Sequence, residues 1–172
     1  SLPLTSKLHT ADLILNRIRS KGLNNTAEDK VKVIFVPSYL NGDDGIFNLA
    51  YYNVLIGLDL TVFPSYYEPW GYTPLESLAF SVPTVTTSLT GFGLWVNNKF
   101  KKEVPGISVI PRDDFNDQQV VEGISQAIYN SCELEKKDWE RMRKGAFEIS
   151  RIALWETLIK HYWKAYDHAL KG

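Results

Sequence analysis

The chain has 172 residues, enough for one domain with a sizeable core, and its 44% hydrophobic and 23% charged residues are ordinary for a soluble globular protein. A net charge of −1 gives no attraction to nucleic acid or anionic lipid, and the single cysteine, Cys132, excludes an internal disulfide and a cysteine-based zinc cluster. His9, His161 and His168 are scattered, no run approaches the ~18 apolar residues of a membrane span, and no signal peptide is visible, so no metal, no membrane and a reducing cytoplasmic setting are expected.

In chain order, Leu13, Ile14, Arg17, Ile18 and Lys21 follow a helical spacing that Gly22 stops. Val31–Val36 is β-branched and reads as a strand. A loop with Asn41-Gly42-Asp43-Asp44-Gly45 follows, and its paired Asp residues read as a turn. Residues 47–57 suggest a short helix, 60–63 a buried strand, and Thr73 to about Ser81 a helix. Strands are expected again at 82–87 and 107–110. Asp117 reads as the cap of a helix to Cys132, and helical spacing resumes from Glu133 to about Arg151. A last amphipathic helix runs over about 155–170 with Leu158, Ile159, Tyr162, Trp163 and Tyr166 on one side. Alternating short strands and helices imply an α/β fold, a Rossmann-like parallel sheet with helices on both faces.

The most informative stretch is TVFPSYYEPWGYTPLESLAFSVPTVTT, residues 61–87. Its loop leaves the carboxyl end of a strand and enters the amino end of a helix, where open α/β sheets bind ligands and where free N–H groups favour a phosphate. Thr73 suits an N-cap, Pro74 the first helical position, and Glu76 the third position of a capping box. Glu68 and Glu76 have seven residues between them. Such a spacing alone is weak, but the whole string FPSYYEPWGYTPLES is specific.

This segment resembles the donor-site motif of retaining glycosyltransferases with the GT-B fold, and in particular glycogen synthase of the animal and fungal type. VKVIFVPSYLN (31–41), the Tyr51 region and the Gly-Phe-Gly holding Phe92 and Gly93 extend the resemblance, which is weakest over 95–150. It implies that residues 1–172 are part of a C-terminal nucleotide-sugar-binding domain. The acceptor-side domain, and the opening strand with the Arg and Lys that hold the donor diphosphate, are expected upstream. The last helix is expected to pack back toward that absent N-terminal domain.

The resemblance also assigns roles. Glu68, otherwise an ordinary exposed loop carboxylate, would act at the transferred sugar and favour charge developing at its anomeric carbon. Glu76 would bind the donor ribose, against a purely structural role in the capping box. Gly71, Tyr72 and Thr73 would serve the diphosphate, and Trp70 the sugar pocket. Tyr39 and Tyr51 would surround the uracil, although a lone Tyr more often packs in a core. Trp95, Trp139, Trp155 and Trp163 lack that context and read as packing residues. The family's Arg-rich regulatory helix is matched only by RMRKGAFEISRIALW, where Gly145 and Glu148 interrupt the basic run. The implied reaction is transfer of glucose from UDP-glucose to an α-1,4-glucan, with no metal or other cofactor and a possible homo-oligomer. The attack would come from the leaving-group face, with the departing phosphate as base. Three other readings stay open: a retaining transferase with a different acceptor, a non-catalytic nucleotide-sugar-binding module, or a fragment that binds nothing.

Overall fold

The computed structural model describes residues 13–100, 102 and 104–171. The chain divides into two compact units, one ending at Val54 and one beginning at Leu55.

The N-terminal unit opens with α1 (Leu13–Ser20), which ends before Gly22 at φ 77°. The stretch Val31–Val36 forms no strand, against the expectation from its composition. The side chain of Asn25 accepts from Val33 N–H (2.8 Å) and donates to Val33 C=O (2.7 Å), taking both groups that a neighbouring strand would use. The Asp43-Asp44 loop is a turn, as its composition suggests. Asp44 accepts N–H bonds from Ile46 (2.9 Å), Phe47 (2.7 Å) and Asn48 (2.9 Å). Desolvation pushes its carboxyl up, but the N–H groups of Phe47 and Ile46 outweigh it and hold the group below its ordinary value. Asn48 at φ 52° keeps the chain out of a helix there. The expected helix over 47–57 therefore contracts to α2 (Tyr51–Leu55), in which the two units meet along the chain.

The C-terminal unit is built on a parallel sheet, β1 (Thr61–Val62), β2 (Thr84–Thr87) and β3 (Ile107–Ile110), in the order β1-β2-β3. Thr61 pairs with Thr84, and Thr84 with Ile107. Every residue of β2 is buried, as befits the middle strand of a covered parallel sheet. Two of its three threonine hydroxyls find partners: Thr84 Oγ1 meets Thr61 Oγ1 at 2.8 Å, and Thr87 Oγ1 donates to Ser65 C=O at 2.7 Å, while Thr86 Oγ1 is buried with no partner among the described residues.

Five helices accompany the sheet: α3 (Tyr72–Ala79), α4 (Gly91–Lys99), α5 (Asp117–Cys132), α6 (Lys136–Ile152) and α7 (Trp155–Lys171). Helices α3 to α6 each contact the strands, and α3 packs along α6. The core gathers Leu78, Phe92, Val96, Ile107, Ala146, Ile149 and Ala153. Gly145 lets α6 lie directly on the chain before β3, since a Cβ there would stand 2.3 Å from Pro105 O. Helix α4 has no counterpart among the sequence expectations. Its glycines, Gly91 and Gly93, hide a sound N-cap: Thr90 Oγ1 accepts from Gly93 N–H at 2.9 Å. Asn116, not Asp117, occupies the cap position of α5, and Asp117 begins the helix. Helix α7 follows the expected range but buries none of its residues within this structure. Trp155 and Trp163 are 60% and 56% exposed, so neither joins the core of the described residues.

Candidate functional site

The three strands point their carboxyl ends at the loops that build the site. The loop after β1 carries Glu68. Its backbone is tied to the turn after β2 by Glu68 N–H to Leu89 C=O (3.2 Å), Gly91 N–H to Glu68 C=O (3.1 Å) and Phe92 N–H to Trp70 C=O (2.7 Å). Glu68 and Thr90 thereby form an isolated parallel bridge. The loop is a fixed extension of the sheet, and Glu68 leaves it half-buried. Its Oε1 accepts from Ser65 Oγ at 3.3 Å.

Helix α3 begins two residues earlier than a cap at Thr73 and a first helical position at Pro74 would place it. Its N-cap is Gly71, at φ 102° and ψ 78°, with no side-chain cap bond. Thr73 is therefore not the cap, and Thr73 and Glu76 form no capping box. The left-handed turn at Gly71 replaces it, a conformation that glycine adopts without a Cβ penalty. Pro74 sits in the first turn, where a missing N–H costs nothing. The turn also brings Glu68 to the amino end of α3, because Glu68 Oε2 lies 3.0 Å from where a Gly71 Cβ would stand. Among the described residues, the N–H groups of Tyr72 and Thr73 make no hydrogen bond. Both residues are exposed, and Glu76, one turn on, is half-buried. A carboxylate, two uncommitted N–H donors and a second carboxylate thus follow one another around the start of a helix. The donors and the helix dipole suit a phosphate, and the carboxylates suit hydroxyls.

The family model described as Glycogen synthase matches residues 5–172. The chain belongs to the glycogen synthase family. The glycogen [starch] synthase of Caenorhabditis elegans is 35% identical over 152 residues, which cover 88% of this chain and 23% of that protein. Isoform 2 of the Saccharomyces cerevisiae glycogen [starch] synthase is 34% identical over 163 residues, covering 93% and 23%. The liver glycogen [starch] synthase of Mus musculus is 34% identical over 157 residues, covering 91% and 22%. The chain thus spans less than a quarter of the length of these glycogen synthase relatives.

Within this member of the glycogen synthase family, Glu68, Gly71, Tyr72, Thr73 and Glu76 are brought together by one loop and one helix turn. Trp70 is half-buried, and its ring turns to the core. It meets Phe92 edge-on at 5.6 Å and Trp95 at 6.1 Å between centroids. Trp95 stacks on Phe92 at 5.7 Å, which agrees with its reading as a packing residue. Tyr39 and Tyr51 belong to the N-terminal unit and are described within it. Tyr39 is 92% exposed. Tyr51 is half-buried, 5.3 Å from the Tyr52 ring, and its N–H donates to Leu40 C=O at 2.9 Å. Among the described residues, no three His, Cys, Asp or Glu side chains converge as metal ligands, and no helix is long and apolar enough to cross a membrane. His9 lies outside the described residues.

Sequence reasoning missed Arg112. It stands in the loop after β3, and its side chain is 5% exposed. Nη1 donates to Pro64 C=O at 3.0 Å, and Nη2 donates to Asp117 at 2.7 Å. No motif marks it, because an Arg beside two Asp reads as a solvated turn. Only the return of the third strand to the first loop gives it a purpose.

Proposed function

We propose that the full-length protein is a retaining glucosyltransferase that moves glucose from UDP-glucose to an α-1,4-glucan, and that this chain is most of its donor-binding half. The observation that carries the reading is the arrangement around Gly71. Glu68 and Glu76 flank a left-handed helix start whose first N–H groups are uncommitted. In this reading the N–H groups of Tyr72 and Thr73 bind the diphosphate. Glu76 takes the ribose hydroxyls. Glu68 faces the glucosyl ring, where its charge offsets the positive charge developing at the anomeric carbon. The bond between that carbon and the β-phosphate oxygen breaks. The acceptor hydroxyl oxygen bonds to the same face, and its proton passes to the departing phosphate. Tyr39 and Tyr51 are assigned to the uracil, and Trp70 supports the sugar pocket by bracing its wall on Phe92 and Trp95.

Transfer is expected without a metal or other cofactor, and the expected setting is the cytoplasm. The exposed aromatic stripe of α7, with Trp155, Tyr162, Trp163 and Tyr166, is read as the face that meets the acceptor-side domain. The isolated 172-residue chain is expected to transfer no glucose, since catalysis needs two domains to close on the donor.

The test is transfer from labelled UDP-glucose to glucan by the full-length protein, beside calorimetry with UDP. Glu68→Gln is expected to lower kcat by about a hundredfold or more, with UDP affinity little changed. Near-normal turnover in that variant removes Glu68 from the reaction. Binding of UDP-glucose without transfer by the wild type would indicate a non-catalytic module.

A further inference from the structure

The Glu68 carboxylate accepts the hydroxyl of Ser65 at 3.3 Å. Both neighbours of Ser65 in the chain are gripped by one side chain from the far edge of the sheet. Arg112 Nη1 donates to Pro64 C=O at 3.0 Å, and its Cζ lies 3.4 Å from the centroid of the Tyr66 ring. Nη2 is anchored on Asp117 at 2.7 Å, and the same carboxylate accepts the Tyr66 hydroxyl at 3.3 Å. The Arg112 backbone is fixed in turn, its N–H donating to Ser88 Oγ at 2.9 Å. Nε is buried with no partner among the described residues.

This is a poor arrangement for stability alone. A buried guanidinium with a donor left unsatisfied carries a desolvation cost that an apolar side chain would avoid. It is a good arrangement for fixing geometry. A planar cation can hold a carbonyl, a carboxylate and a ring face at once, which neither Lys nor an apolar residue can do.

We propose that Arg112 is a positioning residue for Glu68: by clamping Pro64 and Tyr66 it fixes Ser65, whose hydroxyl aims the Glu68 carboxylate. This rests on the assignment of Glu68 to the reacting sugar. Arg112 touches neither donor nor acceptor and acts through the loop.

The experiment uses the full-length enzyme with Arg112→Lys, Tyr66→Leu, Ser65→Ala and the Arg112→Lys/Ser65→Ala pair. Tyr66 is 67% exposed, so its replacement removes the ring from the clamp without disturbing a core. Each single variant is expected to lower kcat by about tenfold, the scale of a sub-ångström misplacement. KM for UDP-glucose and the Kd of UDP stay within about twofold, because the donor's own contacts are intact. The double variant is expected to be no slower than the slower single, since both act along one path. Additive losses in the double variant, or normal kcat in both Arg112→Lys and Tyr66→Leu, overturn the proposal. A crystal structure of Arg112→Lys separates this outcome from failure of the functional reading. Glu68 still bonded to Ser65 Oγ in an undisturbed loop sinks the positioning role, whatever the activity. A carboxylate released from Ser65 supports it, even if Glu68→Gln turns out to be active.

Discussion

Gly71→Ala perturbs the one point where backbone conformation and the candidate catalytic carboxylate meet. Two effects are expected, and the structure separates them. The first is strain. At φ 102° an added Cβ meets its own backbone, which costs roughly 1–2 kcal/mol for an L-residue in left-handed space. The second is displacement. The new Cβ would stand 3.0 Å from Glu68 Oε2, so the carboxylate must give way by about 0.4 Å to reach ordinary contact. Since a misplacement of about 1 Å can cost about a hundredfold in rate, a shift of a few tenths predicts a loss of roughly three- to tenfold in kcat. Gly22→Ala is the control. Gly22 has φ 77°, and a Cβ there meets nothing within 4 Å. It should carry a comparable strain and leave kcat alone. The assay is kcat on UDP-glucose and the urea midpoint for both variants of the full-length protein. If both lose kcat equally, the loss comes from stability. If Gly71→Ala keeps full kcat, the carboxylate does not depend on that turn and the geometric argument fails.

Other outcomes follow from the same structure. Glu76→Gln should weaken UDP binding, a charge-assisted bond to a hydroxyl being about twice as strong as a neutral one. Normal UDP affinity in Glu76→Gln and Glu76→Ala alike would remove Glu76 from the ribose. Asp44 has a folded-state pKa below its unfolded one, so its contribution is present above the ordinary aspartate value of about 3.9 and lost as pH falls through the lower folded value. The urea midpoints of wild type and Asp44→Asn should therefore differ near pH 6 and converge as the pH falls below the ordinary aspartate range. A gap independent of pH would assign the effect to shape alone. Transfer by the full-length enzyme should survive exhaustive dialysis against EDTA, and activity restored only by an added divalent ion would contradict the metal-free scheme.

Much of this protein is determined by local sequence. The string FPSYYEPWGYTPLES marks the loop, the helix after it and both carboxylates, because turn formers, an apolar strand and a proline in a first helical turn act within a few residues of each other. The ranges of β3 and α5 agree with their sequence signals for the same reason. Elsewhere the tertiary structure decided. Val31–Val36 has strand composition but no ladder, because Asn25 occupies the backbone groups of Val33. The start of α3 moved to Gly71 because a left-handed turn, stabilised by the surrounding loops, outcompeted a local cap. Gly91 and Gly93 masked α4, since close approach to Pro69 and Thr87 requires glycine where helix propensity disfavours it. Arg112 was silent because its partners lie 48 residues away in Pro64 and five away in Asp117. A parallel sheet brings distant strand ends to one edge, and periodicity along the chain carries no record of which side chains meet there.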